Sequence, residues 1–364
     1  MASSQTDSGF VLGDGPAQLL IYALGGGWGH LNRALSLARR AARKNYRVKV
    51  LSNSPYAGVI KKSRLWSQSS IGLIQITNPM DEIENFPSEA HFEERKKVLA
   101  SYLQELFSKE QFSCFVVDTF PRGISAELVD LLPQLKGVTR VFVHRDINPS
   151  YVMKYRLRSF VEANFELLIN PGEGNRPPLF DLCRETQSWL ILDYDELRKR
   201  DELRESFGIG GEEFFLLVVA GGKKEEKELF TCLAASAGGN FPRVKVRVLC
   251  AEPDERKRDE ISYWPGFELV RDADLVLSSA AYNIVSECRA MQIPLCVCPQ
   301  TRLYDRQLLR ASAYELPIIE KEEQLLNLLS KSLEWWSPAR RPPSTAFENG
   351  SKKALSLMER VWTT

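Results

Sequence analysis

The 364-residue sequence lacks a marked excess of either charge and lacks a long apolar run. Lys and Arg together number 48, against 47 for Asp and Glu, so the formal net charge is +1. A dedicated nucleic-acid-binding protein would carry a strong basic excess. A membrane span needs about 18 or more consecutive apolar residues, and the sequence has no such stretch. We therefore expect neither nucleic-acid binding nor a transmembrane segment.

Cysteines in metal-site spacing and a signal peptide are also missing. The seven cysteines are an odd number without zinc-knuckle spacing, and Cys296 and Cys298 alternate along a predicted strand. They are expected to be reduced core thiols of a cytoplasmic protein. The N-terminus lacks the basic start and apolar stretch of a signal peptide. Residues 1–16 are predicted to form a flexible tail.

Predicted strands and helices alternate through most of the chain, in two series. The apolar run Gln18–Leu24 ends at glycines, and the pattern restarts with Phe214–Val219, which is also followed by glycines. This rhythm is typical of parallel sheets covered by helices. The predicted fold is α/β, with two Rossmann-like domains facing across a cleft. Its predicted parts are the tail 1–16, an N-terminal domain 17–185, a linker 186–212, a C-terminal domain 213–335 and a C-terminal segment 336–364.

The first candidate site is the glycine-rich loop that follows the first predicted strand. Glycines at a strand-to-helix turn let the backbone approach a ligand, and the start of the next helix suits an anion. The loop does not match the dinucleotide fingerprint, because His30 or Asn32 stands where the last glycine belongs. NAD binding is therefore not expected.

Three residues in the first half of the chain carry candidate chemistry. His30 has an ordinary pKa near 6.5 and can accept a proton from a hydroxyl group near neutral pH. A histidine that only caps the helix explains the position equally well. Asp118 ends a predicted strand, where it either orients His30, contacts an acceptor or closes a turn. Arg145 also ends a strand, and it either lines the acceptor side or forms a structural ion pair.

Three loops of the second half carry further candidates. Asn283 is expected to cap a helix, and Glu287 lies one turn later, where its carboxylate can accept both hydroxyls of a ribose. A solvated glutamate is the alternative. Asp305 and Gln307 can bond to sugar hydroxyls. The segment Gly221–Lys224 holds two glycines and two lysines, which either bind a diphosphate or form a plain turn.

Two other features have structural explanations. The triplets Asp193-Tyr194-Asp195 and Asp272-Ala273-Asp274 resemble metal–diphosphate ligands, but their positions favour structural roles, so no metal site is predicted. Trp335 and Trp336 either pack the last helix or touch a membrane surface peripherally.

The loop from Gly25 to Arg33, the segment from Ala280 to Glu287 and the Asp305-Arg306-Gln307 motif together resemble glycosyltransferase family 28. The segments Val117–Gly123 and His144–Ile147 are similar to its predicted-glycosyltransferase subgroup. This GT-B group includes the peptidoglycan UDP-N-acetylglucosamine transferase. The resemblance spans roughly residues 18–315 and implies a GT-B fold.

The resemblance also implies residue roles. His30 would lie near the acceptor, as the general base or as a positioning group, and Asp118 is the second candidate catalytic residue. The donor would contact Gly221, Gly222, Lys223, Ala281, Tyr282, Asn283, Glu287, Asp305 and Gln307. The acceptor and phosphate loop would comprise Gly26, Gly27, Trp28, Gly29, Asn32 and Arg145.

The implied activity is a metal-independent, inverting transfer from a nucleotide sugar, expected to be UDP-linked, to a hydroxyl acceptor whose identity the sequence leaves open. No other cofactor is implied. Ala280, Ala281 and Ile284 depart from the family pattern, which usually has glycines and a threonine there. Two alternatives therefore stay open: a sugar-nucleotide epimerase of GT-B architecture, and a non-catalytic nucleotide-sugar-binding homologue.

Overall fold

A computed structural model describes residues 4–5, 19–25, 27–76, 89–173, 176–199, 202–221, 224–340 and 346–362. The chain divides into two units. Unit 1 comprises Met1–Trp189 and Asn349–Thr364, and unit 2 comprises Leu190–Glu348. No helix in the described ranges has both the length and the apolar character that crossing a membrane requires.

Unit 1 is built on an eight-stranded sheet in the order β1-β4-β3-β2-β5-β6-β7-β8. Its strands are β1 (Ser4–Gln5), β2 (Leu19–Ala23), β3 (Val48–Ser52), β4 (Ile71–Ile76), β5 (Cys114–Asp118), β6 (Thr139–Val143), β7 (Leu167–Asn170) and β8 (Arg184–Glu185). All neighbouring pairs are parallel except β1 with β4. The strand order reverses between β2 and β5, and ligands of such sheets bind at the carboxyl ends beside this switch point.

The helices of unit 1 follow from the apolar spacing of the sequence. They are α1 (Trp28–Arg43), α2 (Ala57–Lys61), α3 (Arg64–Ser67), α4 (Glu89–Lys109), α5 (Leu128–Leu131), α6 (Pro149–Lys154) and α7 (Leu157–Asn164), with 3-10 turns at Leu132–Gln134 and Phe180–Leu182. Leu31, Leu35 and Ala38 recur at helical spacing on the buried face of α1. All five residues of β2 are buried, as expected for a strand covered on both faces.

Unit 2 has a five-stranded parallel sheet in the order β11-β10-β9-β12-β13. Its strands are β9 (Phe214–Val219), β10 (Val244–Leu249), β11 (Glu260–Ile261), β12 (Leu275–Ser278) and β13 (Leu295–Val297). Its helices are α8 (Glu202–Ser206), α9 (Lys224–Asn240), α10 (Phe267–Asp272), α11 (Tyr282–Met291), α12 (Gln307–Ala313) and α13 (Glu322–Trp335), with 3-10 turns at Tyr194–Glu196 and Pro338–Arg340. The switch point lies between β9 and β12.

The last helix, α14 (Gly350–Glu359), packs on α1 and so belongs to unit 1. Trp362 follows it, stacks on Tyr46 at 4.6 Å between ring centroids and donates its indole N–H to Ser113 at 2.8 Å. Farther upstream, Trp336 lies against Phe214 of unit 2, whereas the side chain of Trp335 is exposed.

Several boundaries differ from the sequence-based ones. The notable start is that of α5, which begins only at Leu128 because Ala126 has a φ of +62°, which a helix cannot contain. Of the predicted tail 1–16, only Ser4–Gln5 lie in the described part of the chain. The predicted linker 186–212 contains the 3-10 turn Tyr194–Glu196 and α8.

Candidate active site

His30 and Asp118 meet at the switch point of unit 1. His30 lies in the first turn of α1, after β2, and Asp118 is the last residue of β5. The Nδ1–H of His30 donates to Oδ2 of Asp118 at 2.6 Å, which leaves Nε2 as the nitrogen with the lone pair. The His30 side chain is 16% exposed, so a ligand can still reach it.

Arg33 completes this pair as a buried cation. Its Nε donates to Oδ1 of Asp118 at 2.7 Å and its Nη2 donates to Oδ2 at 2.6 Å. Nη2 also donates to Oγ1 of Thr119 at 3.1 Å. Thr119 has a φ of +68°, an uncommon conformation for a β-branched residue that marks local strain at this site.

The protonation states of the pair follow from these contacts. Burial opposes the charge on Asp118, but the Arg33 guanidinium and the His30 hydrogen bond outweigh it and hold the carboxyl pKa well below its usual range. Burial lowers the pKa of His30 below its ordinary value of 6.5 and outweighs the opposing hydrogen bond to Asp118. Near pH 7 the site therefore contains a neutral imidazole beside an ionised carboxylate.

Gly25 makes room for the imidazole. A Cβ atom at this position would lie 2.4 Å from the His30 ring, so only glycine fits without moving the ring. The N–H of Gly25 donates to Oδ1 of Asn53 at 2.9 Å, which fixes the loop from the neighbouring strand end. The Phe120 ring lies 5.6 Å from that of His30 and covers part of its surroundings.

The other residues predicted for the acceptor and phosphate loop differ in their surroundings. Trp28 stacks on Tyr56 with ring centroids 4.5 Å apart. Gly27 is the extended N-cap of α1, and a Cβ at Gly29 would meet nothing described within 4 Å. Asn32 lies half-buried on α1, and Gly26 lies outside the described residues.

Arg145 forms a buried ion pair. Its Nη2 donates to Oε1 of Glu173 at 2.6 Å, as one of the two sequence-based alternatives predicts. Burial is the largest cause of the lowered pKa of His30, and the positive charge of Arg145 adds to it. The charge of Arg145 therefore contributes to keeping His30 neutral.

Glu287 is the notable group of unit 2. It lies on α11, beyond the switch-point strand β12, and is 9% exposed. No hydrogen bond or ion pair joins its carboxyl group to another residue in the described ranges. Burial alone raises its pKa to about 8. A buried carboxyl group without a protein partner is suited to accept hydrogen bonds from a ligand.

Asp305 and Gln307 come together after β13. Nε2 of Gln307 donates to Oδ2 of Asp305 at 3.2 Å. Arg310 donates to Oδ1 of Asp305 at 2.8 Å and to the carbonyl of Ala280 at 2.8 Å. The buried Arg310 guanidinium therefore ties the loop after β13 to the loop after β12.

Gly221, a predicted donor residue, has a structural reason to be glycine. A Cβ there would lie 2.3 Å from the Glu226 carboxylate, which is buried and paired with Arg302. Gly222 and Lys223, the other predicted donor residues of this loop, lie outside the described residues.

The start of α11 differs from the prediction at Asn283. The helix begins at Tyr282 with Ala281 as an uncapped N-cap, so Asn283 lies inside the first turn and is not the capping residue. The 10-residue helix thus presents its N-terminus without a side-chain cap, an arrangement that suits an anion. Tyr282 is buried and Ala281 is half-buried.

The Asp-x-Asp triplets carry structural contacts. Asp193 forms a capping box with Glu196, and Asp274 accepts from Arg204 at 3.1 Å. Within the part of the chain that the structure describes, no cluster of three or more His, Cys, Asp or Glu side chains is arranged for a metal ion.

Sequence reasoning missed Arg33, Thr119, Arg310 and Glu226. Arg33 had a usable signal, since it lies three residues after His30 and hence on the same helix face. The contacts of Arg310 and Glu226 join loops separated by 30 and 76 residues, and no local pattern marks them.

Comparisons with known proteins identify the fold. No protein-family model and no curated protein matches the sequence. Among solved structures, the chain is similar to the spinosyn forosaminyltransferase SpnP, with a TM-score of 0.61 and 12% identity over 95% of this chain and 99% of that one. It is also similar to the spinosyn rhamnosyltransferase SpnG complexed with thymidine diphosphate, with a TM-score of 0.55 and 12% identity over 94% and 96% of the two chains.

A third similar structure is a UDP-GlcNAc 2-epimerase from Methanocaldococcus jannaschii, with a TM-score of 0.57 and 13% identity over 94% of this chain and 99% of that one. Together these likenesses assign the α/β fold of two Rossmann-like units that GT-B glycosyltransferases have. The predicted fold class is confirmed, whereas membership of family 28 stays a prediction.

Proposed function

We propose that this chain is a glycosyltransferase that moves a sugar from a nucleotide-sugar donor to a hydroxyl group of an acceptor. The observation that carries the proposal is the His30–Asp118 pair at the switch point of unit 1, with its 2.6 Å hydrogen bond. The structural likeness to sugar-transferring enzymes supports it.

His30 is the general base of this reaction. The neutral imidazole takes the acceptor proton at Nε2 as the oxygen attacks the anomeric carbon of the donor sugar. The ionised carboxylate of Asp118 stabilises the imidazolium ion that forms. One displacement breaks the bond from sugar to diphosphate as the new glycosidic bond forms, so the anomeric configuration inverts.

Unit 2 binds the donor. The Glu287 carboxyl group accepts hydrogen bonds from the ribose hydroxyls, and Asp305 with Gln307 binds the sugar. The diphosphate lies at the N-terminus of α11, where the helix dipole and backbone N–H groups stabilise the leaving group without a metal ion. A UDP-linked sugar is the donor that the resemblance of the motifs supports.

A UDP-sugar 2-epimerase is the second candidate. The Methanocaldococcus jannaschii enzyme is as similar to this chain as the glycosyltransferases are, with a TM-score of 0.57. An epimerase would change the donor sugar when no acceptor is present, whereas a transferase would need an acceptor. Incubating the protein with UDP-sugars alone, and analysing the products by NMR, separates these two activities.

The test begins with donor binding. A nucleotide that binds only the folded protein stabilises it by about 2.7 kcal/mol when its free concentration is 100 times its Kd. UDP and UDP-sugars should therefore raise the melting temperature, and NAD should not. If none of these nucleotides raised it, the donor site that we propose would be wrong.

The catalytic test uses His30→Ala with His91→Ala as the matched control, because His91 is an exposed histidine of α4. UDP release with the acceptors that wild type uses should fall at least about 100-fold in His30→Ala, the usual contribution of a general base. His91→Ala should keep full activity. Equal activity of both variants, with donor binding intact, would contradict the role of His30.

A further inference from the structure

Arg33 is the buried cation that the proposed reaction leaves without a role. Its side chain is 0% exposed, and it follows His30 by three residues on α1. Resting on the proposed function, we propose that Arg33 is a positioning residue. It fixes the Asp118 carboxylate in the orientation that receives the Nδ1–H of His30, which selects one tautomer of His30, and it offsets the negative charge of Asp118 beside the imidazole.

The geometry of the carboxylate supports the positioning role. Oδ1 of Asp118 accepts from Arg33 Nε at 2.7 Å, and Oδ2 accepts from Arg33 Nη2 and His30 Nδ1, each at 2.6 Å. Thr119 Oγ1 donates to Oδ2 at 3.1 Å. Two parallel bonds from one planar guanidinium prevent the carboxylate from rotating. Without them, Asp118 could turn away from Nδ1, and His30 would lose the contact that selects its tautomer.

The charges around His30 support the second part of the proposal, in which Arg33 offsets the charge of Asp118. Asp118 on β5 and Arg33 on α1 offset each other, and Arg145 beyond β6 is paired with Glu173 beyond β7. A proton on His30 would therefore leave a net positive charge in a buried place. Burial is the main reason that the pKa of His30 is lowered, and the charges of Arg33 and Arg145 act in the same direction. The hydrogen bond to Asp118 opposes them.

The contacts of Arg33 require an arginine and not merely a positive charge at this position. Its Nη1 also donates to the carbonyl of Gly29 at 3.3 Å, one turn earlier on α1. A lysine at position 33 would keep the charge but lose the fork that grips both oxygens. Charge and orientation can therefore be separated with two substitutions.

The test measures His30 directly, in the full chain and without substrates. Nitrogen-15 NMR of the histidine side chains gives the pKa and the tautomer of each ring, and the missing signal in His30→Gln assigns His30. In Arg33→Gln, the fraction of neutral His30 with the proton on Nε2 should rise, because the Asp118 carboxylate is no longer fixed toward Nδ1. The pKa of His30 should be higher than in Arg33→Lys, because the charge of Asp118 is then not offset.

Two controls accompany this variant. Arg43→Gln removes the same charge from an exposed position at the far end of α1, and it should leave His30 unchanged. His144, whose pKa burial lowers to about 4, provides an internal reference in every spectrum. In Arg33→Lys, which keeps the charge, the Nε2–H tautomer of His30 should increase while its pKa does not rise above the wild-type value.

A folded Arg33→Gln protein with the wild-type pKa and tautomer of His30 would overturn the proposal. If Arg33→Gln does not fold, Arg33→Lys decides, because an unchanged tautomer there would refute the positioning role. The outcome is independent of the proposed activity. Full turnover by His30→Ala would remove the transferase mechanism but would leave the NMR result for Arg33 as it stands.

Discussion

Replacing Glu287 by glutamine should stabilise unit 2, and the gain should grow as the pH rises. The carboxyl group is 9% exposed, and burial raises its pKa to about 8 from an ordinary 4.5. Between these two values the folded chain holds a proton at Glu287 that the unfolded chain has lost. Folding then requires proton uptake, so the wild-type stability falls with pH in this window. Glutamine has the same shape and no charge, and it escapes this penalty.

The magnitude follows from the two pKa values. Each pKa unit corresponds to 1.36 kcal/mol, so the penalty reaches at most about 5 kcal/mol above pH 8 and about 3 kcal/mol at pH 7. Below pH 4.5 it vanishes. For a unit of this size, 1 kcal/mol changes the melting temperature by about 2–4 °C. Glu287→Gln should therefore melt about 10 °C above wild type at pH 8.5, and close to it at pH 4.5.

Thermal unfolding at pH 4.5, 7 and 8.5, followed by circular dichroism, measures this difference. Glu255→Gln is the matched control, because Glu255 is an exposed glutamate of the same unit. Its melting temperature should follow that of wild type at every pH. A Glu287→Gln difference that does not increase with pH would refute the reasoning, because a packing effect alone would be the same at each pH.

The same carboxyl group links pH to donor binding in the proposed function. Ribose hydroxyls that donate to Glu287 favour its ionised form, so UDP binding should release a proton below pH 8. Calorimetry should show that wild-type affinity for UDP rises between pH 6 and 8, whereas that of Glu287→Gln is weaker and nearly constant. Equal pH dependence in both proteins would exclude Glu287 as the group that contacts the nucleotide.

Three further substitutions test contacts that the structure defines. Gly25→Ala puts a methyl group 2.4 Å from the His30 ring, so turnover should fall about 100-fold while UDP binding is kept, and activity at wild-type level would contradict the crowding. Gly350→Ala puts a methyl group 1.8 Å from the Gln187 carbonyl, which should destabilise unit 1 by about 3 kcal/mol in urea denaturation. Arg310→Met removes a hydrogen-bond donor from the buried Ala280 carbonyl and the partly buried Asp305 carboxylate, so it should cost about 1–3 kcal/mol of stability and weaken UDP-sugar binding more than UDP binding.

The alternation of strands and helices could be predicted from the sequence, whereas the strand order and the strands β1, β7, β8 and β11 were not predicted. Parallel strands covered on both faces are continuous apolar runs, and Phe214–Val219 is predicted and observed with the same bounds. Glycines follow the ends of β2 and β9. Helix ends were less predictable, since α1 begins at Trp28, inside the glycine-rich loop. The glycine-rich loop simply continues into the helix there, without a capping side chain.

Of the candidate site, the sequence could predict the residues that lie at strand ends, but not the contacts between distant residues. His30 and Asp118 both end or follow strands, so the sequence could place them at one sheet edge. Their hydrogen bond spans 88 positions, and the Arg33 contact to Asp118 spans 85. Such contacts depend on how the strands are ordered and how each side chain turns, which no short pattern records. The positive φ of Thr119 is likewise imposed by its surroundings, because threonine itself disfavours it.

The candidate residues of the two units differ in whether the protein itself supplies their hydrogen-bond partners. In unit 1, His30, Arg33 and Asp118 satisfy one another, so the site is organised before anything binds. In unit 2, Glu287 is buried without a partner in the described ranges, so it holds a proton up to about pH 8, and the ribose hydroxyls of the proposed donor would stabilise its ionised form. The proposed nucleotide binding should therefore stabilise unit 2 more than unit 1. The His30–Asp118 bond needs no ligand to form, and its geometry should be the same with and without UDP.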